Sequence, residues 1–317
     1  MLNLRRALLP LAAIVAISIT GCTASQQDAL YHRVIDMGRD VAGFELHSTN
    51  VGDVDMTYLE RPGTGPVVLM VHGFSANKDT WLRLSAELPE DWHLIAPDLA
   101  GHGDTPAPDG GNYDLIAQAQ RLHQLMAKIG SDHFHIAGNS MGGAISAIYA
   151  TLYPEQVASL ILIDAAGVDA PNPSEFIKGL ADGKNPLIAT DEQSFENRWN
   201  LVMAQPPALP WPLRPAVIRD TIARADINRA IFDDMLATRD ALEESRFEEQ
   251  LMEKATMPAL IVWGEKDAVL DVSMVDVFKQ KLPQAQVVIY PGIGHVPMME
   301  SPKQTAATLT QFIAASE

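Results

Sequence analysis

Apolar residues fall into two rhythms along this chain. Val67-Val68-Leu69-Met70-Val71, Phe134 to Ala137, Leu160 to Ile163 and Ala259-Leu260-Ile261-Val262-Trp263 are short continuous apolar runs, as strands buried on both faces require. Leu94 to Ala96 and Gln286 to Tyr290 read as further strands of the same set. Between these runs, Asp79 to Leu88, Leu115 to Ile129, Met141 to Tyr153 and Val272 to Lys281 are predicted helices, and a closing helix runs from Pro302 to about Ala315. The alternation predicts an α/β class with a mostly parallel sheet and helices on both faces, in which ligands bind beyond the carboxyl ends of the strands. Phe44 to Ser48 and Val54 to Glu60, joined through Asn50 to Asp53, predict a hairpin-like start.

The alternation stops at Ala165. Residues 167–256 hold no convincing strand but several prolines, from Pro171 to Pro215, and amphipathic helical stretches at Phe195 to Met203, Ala216 to Ala223 and Arg229 to Leu236. An insertion between two strands of the sheet is expected to lie over the strand ends as a cap. Ahead of the core, Thr23 to about Gln27 reads as a polar tether and Asp28 to Val41 as an amphipathic helix. The expected organisation is therefore a leader (1–21), tether and N-terminal helix (22–43), a first core part (44–166), a helical cap (167–256) and a second core part (257–317).

Composition narrows the possible partners. The 317 residues are 47% hydrophobic, enough for one large core. The net charge of −17 repels nucleic acid and anionic headgroups, so neither is an expected electrostatic partner. Cys22 is the only cysteine, which rules out an intrachain disulfide. Its position is more informative. Arg5-Arg6 followed by the apolar run Ala7 to Ile19 has the form of an export signal, too short for a comfortable membrane span. Ile19-Thr20-Gly21-Cys22 then resembles the bacterial lipobox. That resemblance implies cleavage before Cys22, acylation of Cys22 and attachment to a membrane leaflet in the bacterial cell envelope, with Thr23 favouring the outer membrane.

The stretch with chemistry in it is Gly138-Asn139-Ser140-Met141-Gly142-Gly143. A Gly-x-Ser-x-Gly turn between a strand and a helix is a nucleophile elbow, holding Ser140 in a strained conformation at the tip of the sheet. The helix that follows points its N-terminal end there, and the Met141 N–H is a candidate oxyanion donor. The plainer alternative is that Ser140 caps that helix. A serine hydroxyl needs a base, and the base needs an orienting acid. His295, in the glycine-rich loop Pro291 to Pro297, is the favoured base, and Asp267 in Trp263-Gly264-Glu265-Lys266-Asp267 the favoured acid. Asp164, which also ends a strand, is the competing acid, while Asp271 reads as a helix cap. His32, His47, His123 and His133 read as surface positions, His93 and His135 as strand residues, and His72 and His102 as loop-shaping groups. The tryptophans Trp81, Trp199, Trp211 and Trp263 read as core or cap packing. No metal-ligand spacing is visible, and this chemistry needs no metal or cofactor.

With His72-Gly73-Phe74, Asp98-Leu99-Ala100-Gly101-His102-Gly103, the elbow, Gly264-Glu265-Lys266-Asp267 and Gly294-His295 in this order, the sequence resembles an α/β-hydrolase. Its elbow and the stretch His72 to Trp81 are most similar to bacterial cold-adapted-type lipases and esterases and to animal monoacylglycerol lipases. The resemblance implies Ser140 as nucleophile, His295 as general base and acid, Asp267 as the group fixing its tautomer, and the Phe74 and Met141 N–H groups as the oxyanion hole. It implies a lipid-like ester as substrate, medium-chain esters or monoacylglycerols. A hydrolase of carbon–carbon bonds in ring-cleavage products, or a non-catalytic lipoprotein on a hydrolase fold, are the alternatives.

Overall fold

The computed structural model describes residues 21–244 and 246–316. Of the expected leader, residues 1–21, all but Gly21 lie outside the described residues. Eight strands form a single sheet: β1 (Glu45–Asn50), β2 (Asp55–Arg61), β3 (Val67–Val71), β4 (His93–Pro97), β5 (Phe134–Asn139), β6 (Val157–Ile163), β7 (Ala259–Gly264) and β8 (Gln286–Tyr290). Their order is β1-β2-β4-β3-β5-β6-β7-β8. β2 pairs antiparallel with β1 and β4, and all other pairings are parallel.

The continuous apolar runs are explained by layers on both faces. Along β3, Leu69 and Val71 enter one core while Val68 and Met70 enter the other, and along β5 Ile136 and Ala137 divide the same way. On one face lie α3 (Leu115–Ile129), α4 (Met141–Leu152) and α10 (Met274–Lys281); on the other lie α2 (Leu82–Ser85) and α12 (Pro302–Ala314). α3 begins where Asp114 accepts the Ala117 N–H at 2.7 Å and ends at Gly130 with φ 83°, the pairing of polar N-cap and left-handed glycine that stops a helix at both ends. The expected Asp79 to Leu88 helix is instead a 3-10 turn at Lys78–Trp81 followed by the single turn of α2. Asn77 caps that 3-10 turn and accepts the Asp79 N–H.

The stretch expected as a tether is helical. α1 spans Ala24–Val41, opened by a capping box in which Thr23 and Gln26 satisfy each other's backbone N–H groups. Arg219 also reaches back to the Ala24 carbonyl and to Gln27 and Asp28. Among the described residues no helix is long and apolar enough to cross a membrane.

Between β6 and β7 the described residues form five helices: α5 (Glu175–Ala181), α6 (Glu192–Val202), α7 (Leu213–Ala223), α8 (Ala225–Glu244) and α9 (Phe247–Lys254). Two of them, α5 and α9, were not legible as amphipathic stretches. Side-chain bonds lace the insertion to the loops of the sheet. Asp234 accepts the Tyr113 N–H, Thr238 the Leu115 N–H, and Arg224 donates to the carbonyls of Gly101 and Gly103. α11 (Pro297–Glu300) follows the last strand. Trp81 and Trp263 are fully buried as expected, but Trp211 is 42% exposed and packs no core. His123 is half-buried rather than on the surface, stacked on Tyr153 with ring centroids 3.9 Å apart.

Candidate active site

Ser140 stands between β5 and α4 with φ 56° and ψ −123°, a conformation that non-glycine residues rarely adopt and that costs on the order of 1–3 kcal/mol. Its side chain makes no capping bond to α4, which removes the plain helix-cap reading. The turn is possible because its neighbours lack side chains. A Cβ at Gly138 would lie 2.1 Å from the Gly142 carbonyl oxygen, and one at Gly142 would lie 2.2 Å from the Val71 carbonyl oxygen. The backbone is further held where Ser140 donates to the Ile163 carbonyl at 3.1 Å and Ala166 donates to the Ser140 carbonyl at 3.0 Å.

His295 and Asp267 come together from loops that follow β8 and β7. The His295 Nδ1 and Asp267 Oδ2 are 2.7 Å apart. An ionised carboxylate only accepts, so Nδ1 carries the proton and Nε2 keeps its lone pair. Asp267 Oδ1 accepts the N–H groups of Val269 and Leu270 at 2.8 and 2.9 Å. Three donors thus fix this carboxylate in a site where its side chain is fully buried. Asn139, next to the serine, ties the two halves: its Nδ2 donates to the carbonyls of His295 and Ile163, both at 3.0 Å. The expected base and elbow are therefore linked through one amide side chain, which sequence spacing gave no reason to select.

Asp164 is buried beside them rather than bonded to the imidazole. Its Oδ1 accepts the Gly264 N–H at 2.8 Å, and its backbone φ is 44°. Burial first, then the Asp267 charge, pushes its carboxyl well above the usual carboxylate range. Asp271 accepts the Ser273 N–H in the turn ahead of α10, but the N-cap of that helix is Ser273 and no side chain caps it, so Asp271 is not the helix cap expected of it. His72 donates from Nδ1 to the Gly73 carbonyl at 2.8 Å, and its Nε2 accepts the Leu99 N–H at 3.1 Å; His102 Nδ1 lies 3.3 Å from the Ala100 carbonyl. Burial lowers the pKa of both rings, so they are neutral struts of the loops that bear Phe74 and Asp98.

Phe74, Ser140 and Met141 line a cavity of about 720 Å³. Its walls are apolar, with Phe176, Leu187, Phe232 and Leu270 among them, and Arg239, Arg246, Glu249 and Lys281 supply charge. The insertion also reaches the catalytic loops. Arg198 on α6 donates to the Ser75 hydroxyl at 2.9 Å and the Ser75 carbonyl at 3.2 Å, where Ser75 has φ 53°. Burial lowers the Arg198 pKa to about 10, so it remains charged at neutral pH. At the end of the same helix, the Val202 carbonyl accepts the His295 N–H at 3.0 Å. No motif announced Arg198, because its partner lies 123 residues earlier.

Residues 66–302 match the alpha/beta hydrolase fold family. The chain belongs to this family. It is 35% identical over 310 residues to Lipase 3 of Moraxella sp. (strain TA144), covering 96% of each chain. It is 32% identical over 265 residues to the monoacylglycerol lipase ABHD6 of Rattus norvegicus, covering 80% of this chain and 77% of the relative. Among solved structures, a membrane phospholipase A described as a bacterial virulence factor superposes with a TM-score of 0.85 at 37% identity, covering 99% of each chain. Within this hydrolase, the expected sheet and the helical stretch between β6 and β7 are both present.

Proposed function

We propose that this hydrolase cleaves lipid-like carboxylic esters through an acyl-enzyme on Ser140. The chain is a carboxylic ester hydrolase. In the proposed mechanism, His295 Nε2 takes the Ser140 proton as Oγ attacks the ester carbonyl, and the resulting oxyanion accepts hydrogen bonds from the Phe74 and Met141 N–H groups. The imidazolium then gives its proton to the departing alcohol. Water, deprotonated by His295, attacks the acyl-enzyme and frees the carboxylic acid. Asp267 holds the Nδ1–H tautomer and stabilises the imidazolium. Each oxyanion donor is worth on the order of 3 kcal/mol. We assign the five-helix insertion, residues 167–256, as a cap that supplies the acyl-binding wall.

The observation that carries the substrate reading is the apolar cavity of about 720 Å³ that opens on Ser140. Lipase and monoacylglycerol lipase relatives of this length support the same reading. A chain-length series of p-nitrophenyl esters tests it. kcat/KM is expected to rise from acetate to octanoate, by up to about fourfold for each buried methylene at roughly 0.8 kcal/mol apiece. Highest kcat/KM on acetate, with collapse by octanoate, contradicts it and marks a small-ester esterase.

We further propose attachment to the bacterial outer membrane through acylated Cys22. Cys22 is a free cysteine one residue ahead of the Thr23 cap. α1, which follows, exposes Leu30, Val34, Met37 and Val41, an apolar stripe at helical spacing. Mass spectrometry of the membrane fraction is expected to find an acylated N-terminal Cys22 peptide. An intact Met1 or an unmodified Cys22 contradicts the proposal.

A further inference from the structure

One buried carboxyl beside the proposed triad has no part in the mechanism above. Asp164 is wholly inaccessible. One of its oxygens, one of Asp267 and a ring nitrogen of His295 all lie within 4.8 Å of one another. Its Oδ1 accepts the Gly264 N–H, whereas Oδ2, also buried, accepts from no donor. Two anionic carboxylates confined this closely do not both stay ionised, so one keeps a proton. The donors decide which. Asp267 accepts from Val269, Leu270 and His295, while Asp164 accepts from Gly264 alone. The anion therefore resides on Asp267 and the proton on Asp164, and its O–H is the one donor that would end the isolation of Oδ2.

We infer that Asp164 is a positioning residue, a neutral carboxylic acid whose O–H donates to the Asp267 carboxylate and holds it against His295. This rests on the Ser140, His295 and Asp267 reading. An O–H to carboxylate bond is among the stronger hydrogen bonds in proteins, and here it keeps the acid from turning away from the ring. The surroundings favour the neutral form. The titratable groups around Asp164 are Asp267, His295, Glu300 and the Tyr290 hydroxyl, and none is a permanent cation. The Glu300 charge is taken up by the N–H groups of Gln205 and Gly294. Ionisation of Asp164 at alkaline pH would replace the hydrogen bond with repulsion.

Asn at 164 separates this role from a general need for a polar residue. It tolerates the left-handed backbone as Asp does, its carbonyl can accept from Gly264, and its amide donates to Asp267 at every pH. kcat and KM for a p-nitrophenyl ester are measured from about pH 5 to about pH 10 for the wild type, Asp164→Asn and Asp164→Ala. The expected result is a wild-type kcat that falls on the alkaline side and an Asp164→Asn kcat that lacks this fall while staying within about threefold of wild type near neutrality. Asp164→Ala is expected to lose kcat by about tenfold to a hundredfold with KM little changed, the loss being rescued in Asp164→Asn. If Asp164→Ala does not fold, the alkaline limb of Asp164→Asn decides alone. An Asp164→Asn enzyme with the wild-type alkaline limb, or as impaired as Asp164→Ala, overturns the inference. Asp267→Asn distinguishes failure of the underlying reading. If that variant stays active while Asp164→Asn collapses, Asp164 is itself the triad acid and both readings fall. If Asp267→Asn collapses and Asp164→Asn keeps the alkaline limb, the positioning role alone fails.

Discussion

Ser140→Ala lowers kcat/KM on p-nitrophenyl octanoate by on the order of 10⁶ while the melting temperature stays that of the wild type. The size follows from removing the only atom proposed to form the acyl-enzyme, which leaves His295 with no attacking group and the oxyanion hole with no anion to stabilise. The absence of a stability effect follows from the structure of the turn. The Ser140 side chain caps nothing on α4, and the strained backbone at φ 56° is imposed by Gly138, Gly142 and the strands behind them. Alanine inherits that conformation with one atom fewer. Activity within tenfold of wild type would place the nucleophile elsewhere.

Asp267→Asn lowers kcat by on the order of 10⁴ with KM changed little. The carboxylate accepts from His295 Nδ1 at 2.7 Å through Oδ2, and Oδ1 accepts two backbone N–H groups. Since those two bonds fix the carbonyl oxygen of an asparagine at the Oδ1 position, its amide nitrogen faces the ring. The amide donates to Nδ1, the ring proton moves to Nε2, and the nitrogen proposed to take the Ser140 proton loses the lone pair that a general base needs. Steady-state kinetics with a thermal melt of the same preparation check this. A loss below about tenfold, with the fold intact, would remove Asp267 as the orienting acid.

The sheet was legible because β3, β5, β6 and β7 are buried on both faces, and such strands leave short continuous apolar runs bounded by turn residues. The elbow was legible because close backbone approach demands glycine at Gly138 and Gly142, a local requirement that is written locally. Other features depend on partners far away in the chain. α1 begins four residues ahead of the expected start because Thr23 and Gln26 cap it and Arg219, from α7, binds its first turn. α9 carries Phe247 and Leu251 toward a core formed by other helices, a destination that eight residues of its own sequence do not reveal. At the site, Asp164 directly follows β6 and Asp267 lies three residues past β7, and the sequence favoured Asp267 while keeping Asp164 as the competing acid. The donors that the fold delivers, three to Asp267 and one to Asp164, support the same preference. Arg198 and Asn139 are similar cases, tying the Ser75 and His295 loops through contacts that no motif encodes.

In the proposed mechanism everything depends on His295 making the Ser140 oxygen nucleophilic. Treating the wild type and His295→Gln with a fluorophosphonate and measuring peptide masses tests it most directly. The wild type is expected to carry a single phosphonyl adduct, on the peptide that contains Ser140, and His295→Gln none over the same exposure. An adduct on another residue, no adduct on folded wild type, or equal labelling of the two proteins would contradict it.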